Sequence, residues 1–242
     1  MNVINSYTKF SHTKKDPLFL IEDISVRLYS LIIKNCLNKI SLDLISKKLL
    51  LHISNSKEFL EIKYLVAELQ AIKLDKINEN NNFKTCFWLN IYNFLIIFTI
   101  ILKNEILLTY YEWYKLQKNS FFNIGGYDIS LYEIHNIILQ NNQITKELYG
   151  ESIDFNLNDE KNDLKVNFTN KYLFFAISLP MKDYPNLQIY FPSSLNNQIY
   201  KNVIDYFNTF IKIDKEKKNI KIPEYLIWMD EHFFDNINDY NE

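Results

Sequence analysis

The sequence predicts an α+β fold in a single domain, with a helical N-terminal half packed on a small sheet built from a hairpin and C-terminal strands. Three observations carry that expectation. Apolar residues recur at helical spacing through the first half of the chain. The most apolar run, Thr85 to Glu105, is long enough for one central helix that is oily on every side and must therefore be buried. Further on, Gly125-Gly126 separates two short aromatic-rich runs as the turn of a two-residue hairpin would. Hydrophobic residues make up 48% of the 242 and aromatics 16%, which is ample material for a core and argues against general disorder. Three glycines and five prolines favour long regular elements over a loop-rich chain. Residues 1–16 read as a polar, flexible lead-in, residues 17–235 as the globular domain and residues 236–242 as a tail.

Taken in order, Leu18 to about Ile40 places Ile21, Ile24, Leu28, Leu31 and Ile32 on one helical face. A second helix runs from Leu42 to about Ile53. Ser54-Asn55-Ser56 is a stop and restart, with Ser56 as N-cap and Glu58 in the first turn of a third helix. That helix carries Ile62, Leu65, Val66, Leu69 and Ile72. Asn78 to Asn82 is a polar break before the central helix. Inside the central helix, Asn90, Tyr92 and Asn93 interrupt the apolar run. An unpartnered buried amide costs about 1–3 kcal/mol, so the two asparagines are expected to tie neighbouring backbone into place.

Beyond an aromatic stretch, Tyr110 to Tyr114, the hairpin spans Phe121 to Ile129. Ser130 and Glu133 fit a capping box opening a helix with Leu131, Ile134, His135 and Ile138 that runs to about Gln140. Asn141 to Asn170 reads as a surface excursion. Tyr172–Leu179 and Leu187–Phe191 read as buried strands. Ile199, Val203, Phe207 and Phe210 mark a helix, followed by a solvated charge run from Asp214 to Lys218 and a short strand around Ile220 and Ile222. Pro223 suits the first turn of a last helix through Trp228 to Phe234.

The charge pattern excludes some partners. The net charge is −2, and of 27 basic residues only Arg27 is arginine. Lysine in place of arginine, with abundant Ile and Asn, fits codon bias in an AT-rich genome. It also removes the side chain best suited to clamping phosphate, so no nucleic-acid partner is expected. The polar N-terminus lacks the apolar core of a signal peptide, and Cys36 and Cys86 form no disulfide framework, so a cytoplasmic protein is expected. Lys84 and Lys103 bracket about 18 residues, the short end of a membrane span. Two asparagines and a tyrosine within them make spanning expensive, so a buried core helix is expected, with a membrane-associated subunit anchored by residues 86–102 as a third, weaker reading.

With these residues on the page, the chain resembles the family called domain of unknown function 547 over roughly Ile45 to Phe233. Phe87-Trp88-Leu89-Asn90-Ile91-Tyr92-Asn93 is similar to that family's helix signature, Phe-Trp-Ile-Asn-Leu-Tyr-Asn. Ile124-Gly125-Gly126 with Ile129-Ser130-Leu131 is similar to its hairpin-into-helix segment. Phe175-Ala176-Ile177 resembles its Phe-Ala-Leu strand, with Lys182 and Pro185 in register, and Trp228 and Phe233 resemble its closing pairs. In the family the strand continues Asn-Cys-Gly-Ala-Lys-Ser-Cys-Pro, which invites a thiol mechanism. Here Leu179 and Tyr184 stand at the two cysteine positions. The family's Ile-Glu-His becomes Ile134-His135-Asn136. A thiolate nucleophile needs sulfur and an adjacent base, and Leu and Asn supply neither.

The expected function is therefore a non-catalytic structural or protein-interaction component built on an enzyme-like fold, with another protein as partner. The aromatic excess supports a docking role, since Tyr, Trp and Phe are enriched at interface centres. The alternative is a hydrolase or transferase with a relocated site at His135 with Tyr184 or Asp183. Trp88, Asn90, Tyr92 and Asn93 are expected to be motif residues of the core. No cofactor and no metal is expected, because His12, His52, His135 and His232 show no ligand spacing and no glycine-rich phosphate cradle is present.

Overall fold

A computed structural model describes residues 3–9, 13, 15–36, 46–78, 80–107, 109–140, 155, 159–167, 171–179, 184–214, 216–223 and 226. Seven α-helices are named here in chain order: α1 (Pro17–Cys36), α2 (Lys47–Ser54), α3 (Lys57–Glu68), α4 (Asp75–Asn78), α5 (Asn81–Lys103), α6 (Tyr110–Lys118) and α7 (Leu195–Phe210). Two separate antiparallel hairpins accompany them, β1 (Phe121–Ile124) with β2 (Tyr127–Ser130), and β3 (Lys212–Asp214) with β4 (Asn219–Lys221). The fold is α+β and helix-rich, as expected.

The central helix is α5. Every residue from Thr85 to Ile101 is buried, and α1, α2, α4 and the helix after β2 all lie against it. The sequence dictates this, because a helix with apolar side chains on every face loses free energy wherever water touches it. Asn80 caps its N-terminus by accepting from Asn82 and Phe83. Asn104, in the left-handed conformation at φ 54°, ends it. Ser56 caps α3 by accepting from the Phe59 amide, as expected.

The first hairpin pairs Phe121 with Ser130 and Ile124 with Tyr127. Both turn glycines have positive φ, 59° at Gly125 and 93° at Gly126. Gly125 is doubly constrained: a Cβ there would lie 2.7 Å from Leu74 Cγ. The capping box at its exit forms, with the Ser130 amide and hydroxyl donating to Glu133 Oε2 and the Glu133 amide donating to Ser130 Oγ. The helix it opens is an α-turn that widens into a π-helix, Glu133–Leu139.

Two expected strands are not strands. Lys171–Ala176 is a 3-10 turn, and neither the stretch that follows through Leu179 nor Leu187–Phe191 forms a ladder among the described residues. A short, wholly apolar run is equally at home in a buried strand or a buried turn, so periodicity does not separate them. Side-chain amides replace the ladder here. Among the described residues the first hairpin is therefore its own two-stranded sheet and is not joined to these segments. Within the stretch read as a charge run, Asp214 pairs with Asn219 in the second hairpin and 216–218 are turn residues. On α7 it is Tyr206 that is buried, whereas Phe207 is partly exposed.

Within the polar lead-in, Asn5 is buried and stitches the chain to the domain. Its Nδ2 donates to the Val66 and Asn123 carbonyls, and its Oδ1 accepts from the Asn123 amide. The expected last helix, Trp228 and Phe233 among its residues, lies outside the described residues, as do His12, His232 and Asp183.

Candidate functional site

The signature helix directs its polar side chains to two faces. Asn90 and Asn93 are three residues apart and so share one side of α5. Asn90 Nδ2 donates to the Tyr190 carbonyl at 2.9 Å, and its Oδ1 accepts from the Tyr190 amide at 2.9 Å. Asn93 Nδ2 donates to the Ala176 carbonyl and its Oδ1 accepts from the Ser178 amide, again at 2.9 Å each. Each asparagine thus acts as one rung of a β-ladder would, presenting a donor and an acceptor to backbone that has no strand partner. From the other side, Asn202 Nδ2 donates to the Phe175 carbonyl, and Gln198 bridges the Ile189 carbonyl and the Phe191 amide. The segments after Lys171 and before α7 are therefore held between helices by side-chain amides.

That clamp positions the residues that resemble the family's thiol segment. Leu179 and Tyr184 are buried, and Ser178 Oγ donates to the Pro185 carbonyl at 2.9 Å. Asn136 is buried in the π-helix, its Nδ2 donating to the Tyr132 carbonyl. Trp88 is buried in the core against Phe87, ring centroids 5.1 Å apart.

His135 occupies a second polar cluster. Its ring stacks on Tyr92 at 4.8 Å and 20°. Nδ1 lies 3.2 Å from Gln117 Oε1, which also accepts from the Tyr92 hydroxyl at 3.1 Å, and Nε2 lies 3.0 Å from Gln140 Nε2. One tautomer satisfies both contacts: Nδ1–H donates to Gln117, and the Nε2 lone pair accepts from the Gln140 amide. Desolvation holds the imidazole far below its ordinary value, at about 3. Tyr92 projects well away from Asn90 and Asn93, because successive residues on an α-helix turn by about 100°. His135 therefore meets α5 on a different face from the one clamping Ser178. Of the other residues in the alternative site, Tyr184 is buried and Asp183 lies outside the described residues.

Burial pushes the Cys86 thiol up to about 12, so it stays protonated inside the core. His52 is exposed on α2. No cluster of three metal-ligating side chains is found among the described residues. Sequence reasoning did not single out Gln117, Gln140, Gln198 or Asn202. Their type and spacing match those of solvated surface amides, and only tertiary packing turns them inward.

A family model described as "Protein of unknown function, DUF547" matches residues 74–207, from α4 to most of α7. The span is shorter than the Ile45 to Phe233 resemblance, and the closing Trp228 and Phe233 fall beyond it. No curated protein and no solved structure matches the chain. The matched region takes in the signature helix, both asparagine clamps, the hairpin with its capping box and the π-helix. This chain therefore belongs to the family described as Protein of unknown function, DUF547.

Proposed function

We propose that this protein is a non-catalytic structural or protein-interaction component built on an enzyme-like scaffold. One observation carries the reading: the side chains standing where the family resemblance puts a thiol segment and its base are packed inside the fold. Leu179, Tyr184 and Asn136 are each less than a tenth exposed. His135, the best remaining base, is neutral, stacked and hydrogen-bonded at both ring nitrogens. A base at about 3 takes up protons poorly near neutral pH, which weighs against the relocated hydrolase or transferase site at His135 with Tyr184 or Asp183. Exposed aromatics such as Tyr111 and Tyr200 offer docking groups for another protein. A cytoplasmic setting, with no nucleic-acid, membrane or cofactor requirement, accompanies this reading.

The test is a panel of ester, amide, phosphoester and glycoside substrates with the purified chain, alongside His135→Ala and Tyr184→Phe. Rates equal to the buffer background are expected throughout. Turnover by the parent chain that vanishes in either folded variant would overturn the reading.

A further inference from the structure

A cavity of about 550 Å³ opens where the start of α1, α4, the first turn of α5 and the loop before α7 converge. Its size falls in the range of small-molecule sites, about 300–1,000 Å³. It lies far along the chain from the His135 cluster and shares no residue with either asparagine clamp.

Its walls combine two kinds of group. Phe19 from α1 and Phe83 from α5 are 72% and 41% exposed, and Ile77 and Pro192 complete an apolar lining. An aromatic ring so exposed forfeits the burial that normally keeps phenylalanine inside a fold. Asp16 and Glu22, both half-buried, bring carboxylates into the same cavity, while the one cationic side chain among its described lining residues, Lys76, is exposed. Along α1 the order is carboxylate, ring, carboxylate, at successive spacings of three residues, so the groups follow one side of the helix.

The two acids are not equivalent. Asp16 Oδ1 accepts from the Leu18 amide at 2.9 Å, so its presence is accounted for as the start of α1. Glu22 lies beyond the first turn, where the helix dipole no longer rewards a negative charge. Among the described residues its carboxylate has no ion-pair or hydrogen-bond partner. A half-buried, unpaired carboxylate beside two solvent-facing rings is the complement of an ammonium group attached to an apolar body. The charge meets Glu22 and the π-faces, and the body covers the rings.

We propose that this cavity binds an organic ammonium ion carrying an aromatic or alkyl group, with Glu22 as the main charge partner and Phe19 and Phe83 as its walls. Neutral or anionic analogues of the same shape lose the Glu22 contact, and the anion meets repulsion instead.

The experiment is isothermal titration of the full chain with benzyltrimethylammonium, 2-phenylethanol and 3-phenylpropionate, at low and high salt. Saturable binding of the cation is expected, weaker binding of the alcohol and none of the carboxylate. Added salt should weaken the cation. Glu22→Gln should lower the cation's affinity by about ten-fold and Asp16→Asn, which preserves the cap, by less. Phe19→Ala provides an independent check, because so exposed a side chain is dispensable for folding. It should weaken the cation and the alcohol alike. The proposal fails if the cation does not saturate, if the carboxylate binds as well as the cation, or if folded Glu22→Gln and Phe19→Ala both bind the cation as the parent does.

Discussion

Asn93 shows how much one amide can carry. Its two hydrogen bonds satisfy the Ala176 carbonyl and the Ser178 amide, groups that no strand reaches. Asn93→Ala leaves both unpaired in the core, and is expected to cost about 3 kcal/mol in denaturant unfolding. Asn93→Asp keeps the acceptor but loses the donor and buries a charge, so it should do no better. His135 gives the fold an acid limit. In the unfolded chain the imidazole titrates near 6.5, whereas in the fold it stays neutral down to about 3. Between those values the unfolded state binds more protons, so this residue makes stability fall as pH drops from about 6.5 toward 3 and contributes nothing above 7. His135→Gln should flatten the stability profile over that window in urea melts taken at a series of pH values. A profile as steep as the parent's would contradict the assignment. The identity of these residues was legible beforehand in part: buried asparagines demand partners, but which backbone supplies them is not written in α5.

At the scale of elements, the first hairpin and the π-helix behave as one unit. Gly125 donates its amide to the Leu69 carbonyl and faces Leu74, while Gly126 faces open space. Gly125→Ala must bear both a left-handed backbone and a collision, and should destabilise by about 2–3 kcal/mol; Gly126→Ala, which bears the backbone strain alone, should cost about 1 kcal/mol. The contrast between the two melting points checks it. Glu133 joins the unit to the chain beyond it, since its Oε1 also meets Lys161 Nζ at 3.0 Å. Glu133→Ala keeps the Ser130 cap but removes the carboxylate half of the capping box and this partly buried pair, for an expected loss of about 1–2 kcal/mol. The first and third helices, the central helix, the Ser56 and Ser130 caps and the first hairpin turn were readable from local sequence; α4, α6 with its Thr109 capping box and the second hairpin were not. The strands expected at Tyr172–Leu179 and Leu187–Phe191 were not, because a strand exists only where a neighbouring edge is free to pair with it. Here side-chain amides occupied those groups first.

For the whole molecule, the decisive feature is that the longest apolar helix is enclosed by the rest of the chain. Asn81–Lys103 is long and apolar enough to cross a bilayer, yet nearly all of its apolar stretch is buried inside the fold. The protein is therefore expected to stay in the supernatant after carbonate extraction and to be monodisperse without detergent; retention in the membrane pellet would contradict the enclosure. By itself, the sequence determined the helical class, the burial of α5, the first hairpin with its cap and the membership of a family, because these follow from periodicity, turn chemistry and a contiguous motif. Only the tertiary structure decided that His135 and the Ser178 loop lie on different faces of α5, that amides stand in for a sheet, and that Phe19, Glu22 and Phe83 share one cavity. Those outcomes depend on which helix packs against which, and the spatial convergence of residues far apart in sequence leaves no local pattern to read.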